Sequence, residues 1–392
     1  MSDVRDAKAN SQPILPHTVA AVEDYIWYVR DMPAAASCVL LGNNRLYAGD
    51  WDGNLRAWDA DGKQLWHSEA EDRVERMCGA SEAVPPFICA TAGNEVNCLD
   101  AKSGEEQWRH TLVGSSDLVV CSDDGDRVLA TSSVYEIELN DFIESICWRF
   151  DGNGDLVRQD TFEERPWHLL LDKEGYATMG LGRPRCGLMR QTDDECNHLT
   201  IADDDPILCG TTSEGVTVFG HASGLVSLLG DDGVSLNELD NSSKGGVHVL
   251  ASDGELAIAG GDDGKVRAIS SAEGKLWDSD VLSPLDECAI AFEFQGDKTC
   301  WLATWNGFCG TLWVLSSKGG VELAKFSDLP RIRSLTSRAD RVAVGLDDGR
   351  VLLFNKELFE RRVSVVQTSD ESDVSPDPNR NLLKDRLRAL RK

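Results

Sequence analysis

Acid–base, metal or nucleophilic chemistry in this 392-residue chain would fall to seven histidines, twelve cysteines and 67 carboxylates, and their spacing argues against a catalytic centre. His17, His67, His110, His168, His198, His221 and His248 fall one per region, without the i, i+3 or i, i+4 spacing of a helix-borne metal site. The cysteines form no C-x-x-C and no adjacent pair, and most fall in expected strands, where a free thiol behaves as a small buried hydrophobe. P-loop, H-E-x-x-H, G-x-S-x-G and G-x-G-x-x-G patterns are missing. Acidic clusters occur at Asp50-Trp-Asp52, Asp203-Asp-Asp205, Gly261-Asp-Asp-Gly264 and Leu346-Asp-Asp-Gly349. Gathered on one rim they would suit a divalent cation or a basic partner, but no EF-hand pattern accompanies them, and turn chemistry is the plainer reading. No cofactor or metal is therefore expected.

The elements that would position these residues are read from Leu46 to Trp66, where a short apolar run, Asp52-Gly53, an alternating run and Asp61-Gly62 lead to a terminal Trp. The same grammar returns seven more times. A small residue closes the second strand of each repeat: Gly49, Gly93, Ser132, Gly180, Gly220, Gly260, Thr304 and Gly345, about 42 residues apart. In the sixth repeat the four strands are expected at Val247–Leu250, Glu255–Ala259, Lys265–Ile269 and from Lys275; in the eighth, at Ile332–Thr336, Arg341–Gly345, Arg350–Phe354 and Arg362–Val366. Repeats three to five are degenerate, with Val134 to Ser145 reading as polar residues inserted at a turn. A four-stranded sheet of this size cannot bury both faces alone, so blades stack radially and close into a ring.

The expected fold is thus all-β: a single eight-bladed β-propeller of four-stranded blades over residues 33–368, with a seven-bladed ring as the alternative. Residues 1–32 precede it and carry a spare strand, Tyr25–Val29, able to clasp the last blade. Residues 369–377 form an acidic, Pro-containing linker, and 378–392 a short, basic amphipathic helix.

Cys98-Leu-Asp-Ala-Lys-Ser-Gly-Glu-Glu-Gln-Trp108 resembles the repeat motif of pyrroloquinoline-quinone-type (PQQ-like) propellers, with Asp100, Gly104 and Trp108 matching and Cys98 and Ser103 standing for its Ala and Thr. Ala268, Gly274 and Trp277, and Ala57, Asp59, Gly62 and Trp66, are similar. The resemblance implies eight blades, with each Trp packing between blades and each Gly permitting a turn. Likeness to WD40 repeats is confined to Trp58-Asp59. The paired cysteines over the cofactor that quinoprotein dehydrogenases of similar fold use have no counterpart here.

The net charge of −28 keeps such a body soluble and disfavours nucleic acid over most of its surface. Met1 to Gln12 lacks an apolar h-region, and no stretch approaches the roughly 20 apolar residues of a membrane span, so a cytosolic protein without membrane insertion is expected. Trp51, Trp305 and Phe308 stand at turn tips between second and third strands, where little core is available and partners are commonly anchored. Near the C-terminus Leu383, Leu387 and Leu390 recur at helical spacing among Arg380, Lys384 and Arg388, which suits a helix docked in a protein groove. These residues point to a non-catalytic scaffold that binds proteins through its rim and tail. Two alternatives are an enzyme or small-ligand or metal binder using the axial channel, with His168 and His248 converging there, and a ribosome- or nucleic-acid-associated factor docking through the basic tail.

Overall fold

A computed structural model describes residues 21–172, 174–200, 204–233 and 235–370, with side chains to residue 364. Eight separate four-stranded antiparallel sheets follow one another along the chain. The sixth blade is typical, with strands Val247–Ser252, Leu256–Gly261, Lys265–Ser270 and Gly274–Asp280 hydrogen-bonded in chain order. First strands of consecutive blades pack against one another around an axis, and the first strand of blade 8 meets that of blade 1, so the ring is closed. Blades 1 to 7 are each a meander. Turns joining strands 1–2 and 3–4 therefore share one face of the ring, and 2–3 hairpins share the other.

The small residue ending the second strand is explained at Gly49, Gly180, Gly220 and Gly260 by how closely the blades approach, whereas Gly93 lies in the turn after strand Phe87–Ala92 with φ of 58°. A Cβ added at Gly49, Gly220 or Gly260 would lie 2.6, 2.5 or 2.6 Å from Val74, Val247 or Leu285, each at or beside the start of the next blade's first strand. That contact places one blade on the next. The fourth-strand tryptophans add a second lock. Trp66, Trp108 and Trp277 donate their indole N–H to Ala101, Gly152 and Ser317 carbonyls in the next blade's 3–4 turn, at 3.2, 3.3 and 2.8 Å. Their rings cover that turn's glycine, so a Cβ at Gly104, Gly154 or Gly320 would meet indole carbon at 2.5, 2.6 or 2.7 Å. These glycines have φ of 73°, 89° and 64°, so they serve the turn and the stacked indole together.

Closure uses the strand expected to clasp the last blade, while the fourth strand expected at Arg362–Val366 does not form. The fourth strand of blade 8 is Ile26–Asp31, which pairs antiparallel with Arg350–Asn355 in a register that sets Val29 against Leu352. It also supplies the lock to blade 1: Trp27 Nε1 donates to Ala60 O at 3.1 Å, Tyr28 Oη to Asp59 O at 3.1 Å and Arg30 Nε to Gly62 O at 2.5 Å. Arg362–Val366, read as that strand, lies instead in a helix, Lys356–Asp370, because the edge it would join is already taken. The ring thus begins at Ile26 and its last strand ends at Asn355. Asn355 caps the helix, its side-chain oxygen accepting the Glu357 N–H at 2.9 Å. Phe359 and Val363, four apart, are buried in a cluster with Tyr25, Phe292, Trp301 and Phe354. The helix runs two residues into the segment read as linker; the remainder of that linker and the 378–392 helix lie outside the described residues. Among those described, no helix is long and apolar enough to cross a membrane.

Candidate functional site

The 2–3 face carries the most distinctive chemistry. Trp51 at the hairpin tip of blade 1 is 39% exposed, and Phe308 on the enlarged hairpin of blade 7 is 92% exposed, while Trp305 beside it is half-buried. Asn306 shapes that turn by accepting the N–H groups of Phe308 and Cys309, both at 2.9 Å. Blade 8 stands between these two hairpins and links them. Arg331 lies over Trp305 with its guanidinium carbon 6.0 Å from the ring centroid, and Arg333 lies 4.6 Å over Trp51. Both cations are held by carboxylates: Arg331 donates to the two Asp286 oxygens at 2.8 and 2.9 Å, and Arg333 sits 2.7 Å from Asp347. The Asp286 bonds raise the Arg331 pKa further above its ordinary value.

Beyond Trp51 the face opens into a funnel of about 850 Å³ whose lining includes Arg73, Arg76, Asp117, Arg165 and Trp167. Arg165 pairs with Asp117 at 2.9 Å and lies 4.1 Å over Phe142. Phe142 belongs to a hairpin that sequence reasoning missed. Val134 to Ser145 extends strands Val128–Glu136 and Asp141–Phe150 outward and exposes Tyr135, Ile137, Leu139 and Ile143, with Ile137 82% accessible. The signal was present: Tyr135, Ile137 and Leu139 alternate with Glu136 and Glu138, the period of a strand. Edge-to-face packing of Tyr135 on Phe142, centroids 5.1 Å apart, and a 2.7 Å bond from its hydroxyl to Asn140 brace the tip.

The acidic turns are engaged locally. Asp50 is fully buried and accepts N–H groups of Asp52 and Asn54 at 3.0 and 2.8 Å. Asp205 accepts from Ser223 N and Oγ, both at 2.8 Å, and Asp263 from Ser243 Oγ at 2.6 Å. Asp347 and Asp348 pair with Arg333 and Arg350 at 2.7 Å each, while Asp203 lies outside the described residues. Among the described residues no group of three or more His, Cys, Asp or Glu is placed to hold a metal.

The axial channel, about 370 Å³, does receive His168 and His248, but it does not pair them. His248 Nε2 bonds Asp262 at 2.7 Å toward the 2–3 face. His168 is wedged between Gly180 and Gly210, 5.5 Å from the Phe219 ring, with neither ring nitrogen hydrogen-bonded. Burial pushes its pKa down to about 3, so it is a neutral packing group. Glu287 lines the same channel and burial raises its pKa to about 7, with Arg76 opposing the shift. All twelve cysteines are free, and Cys78, Cys89 and Cys98 stand side by side across blade 2. Arg380, Leu383, Lys384, Leu387, Arg388 and Leu390 lie outside the described residues.

Eight four-stranded blades, three of whose junctions are locked by a Trp over a turn Gly, make an eight-bladed β-propeller consistent with PQQ-like repeats, as the repeat motif led us to expect. The comparisons agree. The family model described as outer membrane protein assembly factor BamB matches residues 18–138. Among solved structures, the chain is similar in fold to BamB from Moraxella catarrhalis, with a TM-score of 0.62 and 15% identity over 84% of this chain and 98% of that one. It is also similar to the computationally designed Ika8 protein, with a TM-score of 0.65 and 16% identity over 83% and 97% of the two chains. No curated protein matches.

Proposed function

We infer that this protein is a non-catalytic scaffold whose 2–3 face binds partner proteins. The observation that carries the reading is the band of exposed apolar side chains on that face, from Phe308 through Trp51 and Trp167 to Tyr135, Ile137 and Leu139, interleaved with carboxylate-held arginines. Exposed aromatic and branched aliphatic groups rimmed by charge supply contact area that carboxylates alone do not. The assembly-factor name of the matched family agrees with such a role. The basic C-terminal segment is proposed as a second docking element, its leucines entering a groove on the partner. Twelve unpaired thiols suit a reducing compartment, and we place the protein in the cytosol.

Quantitative recovery of partners from the protein's own cells tests this reading. Trp51→Ala with Trp305→Ala, and separately Ile137→Ser with Leu139→Ser, should each reduce recovery about tenfold or more without unfolding the ring. Undiminished recovery with both pairs of changes removes the 2–3 face from the account.

A further inference from the structure

The opposite face holds a second site of different chemistry. Between blades 1 and 2 lies a cleft of about 190 Å³. Leu40 of blade 1 faces Gly79 of blade 2, where an added Cβ would sit 3.1 Å from the leucine Cδ2, and the nearly inaccessible Phe87 and Ile88 complete the apolar lining. A closed apolar cavity of roughly 150 Å³ accommodates a benzene-sized group. This cleft is therefore sized for one aromatic or branched aliphatic side chain.

Arg45, Lys102 and Arg338 line the same cleft. Arg45 donates to the Ala101 carbonyl at 2.6 Å and Arg338 to Ser81 Oγ at 3.0 Å, so both are positioned by neutral acceptors, while Lys102 is exposed. Among the described residues none of the three forms an ion pair with a carboxylate. Asp100 in the adjoining turn is occupied by the backbone N–H groups of Lys102 and Ser103, at 2.8 and 2.7 Å. In a chain of net charge −28, three cations that form no ion pair, with Asp100 the neighbouring carboxylate that feels the Lys102 charge, leave the cleft lining net positive. On the 2–3 face, by contrast, Arg165, Arg331 and Arg333 each hold a carboxylate.

We propose that this cleft binds an acidic linear segment of a partner protein, one aromatic or branched aliphatic side chain entering between blades 1 and 2 while flanking carboxylates pair with Arg45, Lys102 and Arg338. Charge complementarity selects the partner's sign. The size of the cleft selects its anchor.

The test uses a fluorescein-labelled twelve-residue peptide carrying a central Phe with two Asp before it and two Glu after it, titrated against the full chain by fluorescence anisotropy. Saturable binding is expected, weakened about tenfold or more by Lys102→Glu, by Arg338→Glu, or by Ser in place of the peptide's Phe, and unaffected by Trp51→Ala on the other face. Lys102→Glu alters an exposed side chain, so it keeps the test sound if Arg338→Glu disturbs folding. No binding by the full chain, equal binding of a peptide with lysine at the four acidic positions, or indifference to both charge reversals would overturn the proposal. Removal of residues 371–392 adds a further arm. If it strengthens binding about tenfold, the chain's own acidic stretch around Val374 is the occupant and the partner assignment falls.

Discussion

The two faces of the ring use tryptophan in opposite ways. On the 1–2 and 3–4 side, Trp66, Trp108 and Trp277 lie over the next blade's turn glycine with their N–H groups bonded to its carbonyls. On the 2–3 side, Trp51 and Trp167 stay 39% and 49% exposed, and the cations beside them are already held by carboxylates. The difference teaches that an outer-strand indole serves the ring, even at Trp27, which is 51% exposed yet bonds the Ala60 carbonyl, whereas the proposed function assigns the indoles at the hairpin tip and strand start to a partner. The locking face resembles a domain interior, and the other resembles half of an interface.

The comparison breaks if the two sets respond alike to truncation. Trp66→Ala, which opens a blade junction and orphans the Ala101 contact, should destabilise the ring by about 3–5 kcal/mol in urea unfolding, and Phe359→Ala under the helix by a similar amount. Desolvated ionisable groups, buried His168 and half-buried Glu287, give the next effect. His168 is neutral when folded, with a pKa of about 3 against 6.5 unfolded, so its contribution is complete above pH 6.5 and falls by about 1.4 kcal/mol per pH unit as pH drops from 6.5 toward 3. His168→Leu should remove that slope, seen as a shallower acid limb than wild type, with little loss at pH 7 because neither ring nitrogen is bonded. Glu287 runs the other way: its raised pKa makes its contribution complete below pH 4.5 and lost as pH rises to about 7. Glu287→Gln should therefore improve stability relative to wild type most clearly near neutral pH. The smallest stability effect belongs to the 2–3 tips, where Phe308→Ser should change unfolding free energy by less than about 0.5 kcal/mol while still weakening partner recovery.

Much of this architecture was legible because it rests on local rules. The glycine ending a second strand is required by the neighbouring blade, and Asp-Gly and Glu-Gly turns recur with the strands, so strand order could be read directly and eight blades favoured over seven. Blade 8 was misread because Arg-Val-Ser-Val-Val at 362–366 is rich in β-branched residues, while the cap at Asn355 and the Phe359–Val363 pair act through burial that strand propensity does not register. The Val134–Ser145 hairpin reads as polar by composition because Glu136, Glu138 and Glu144 alternate with or flank its exposed apolar residues. Trp51, Trp305 and Phe308 were legible as turn-tip aromatics. Their bridging by Arg331 and Arg333 was not, since it joins distant parts of the chain through ring closure. The cleft between blades 1 and 2 was hidden for the same reason.

Amide hydrogen exchange on the full chain, alone and saturated with a recovered partner, tests the central claim most directly. Slower exchange is predicted in residues 51–54, 134–145 and 305–310, with the outer strands of the blades unchanged. Protection confined to the axial first strands, with those three hairpins unaffected, would contradict the assignment of the 2–3 face as the partner surface.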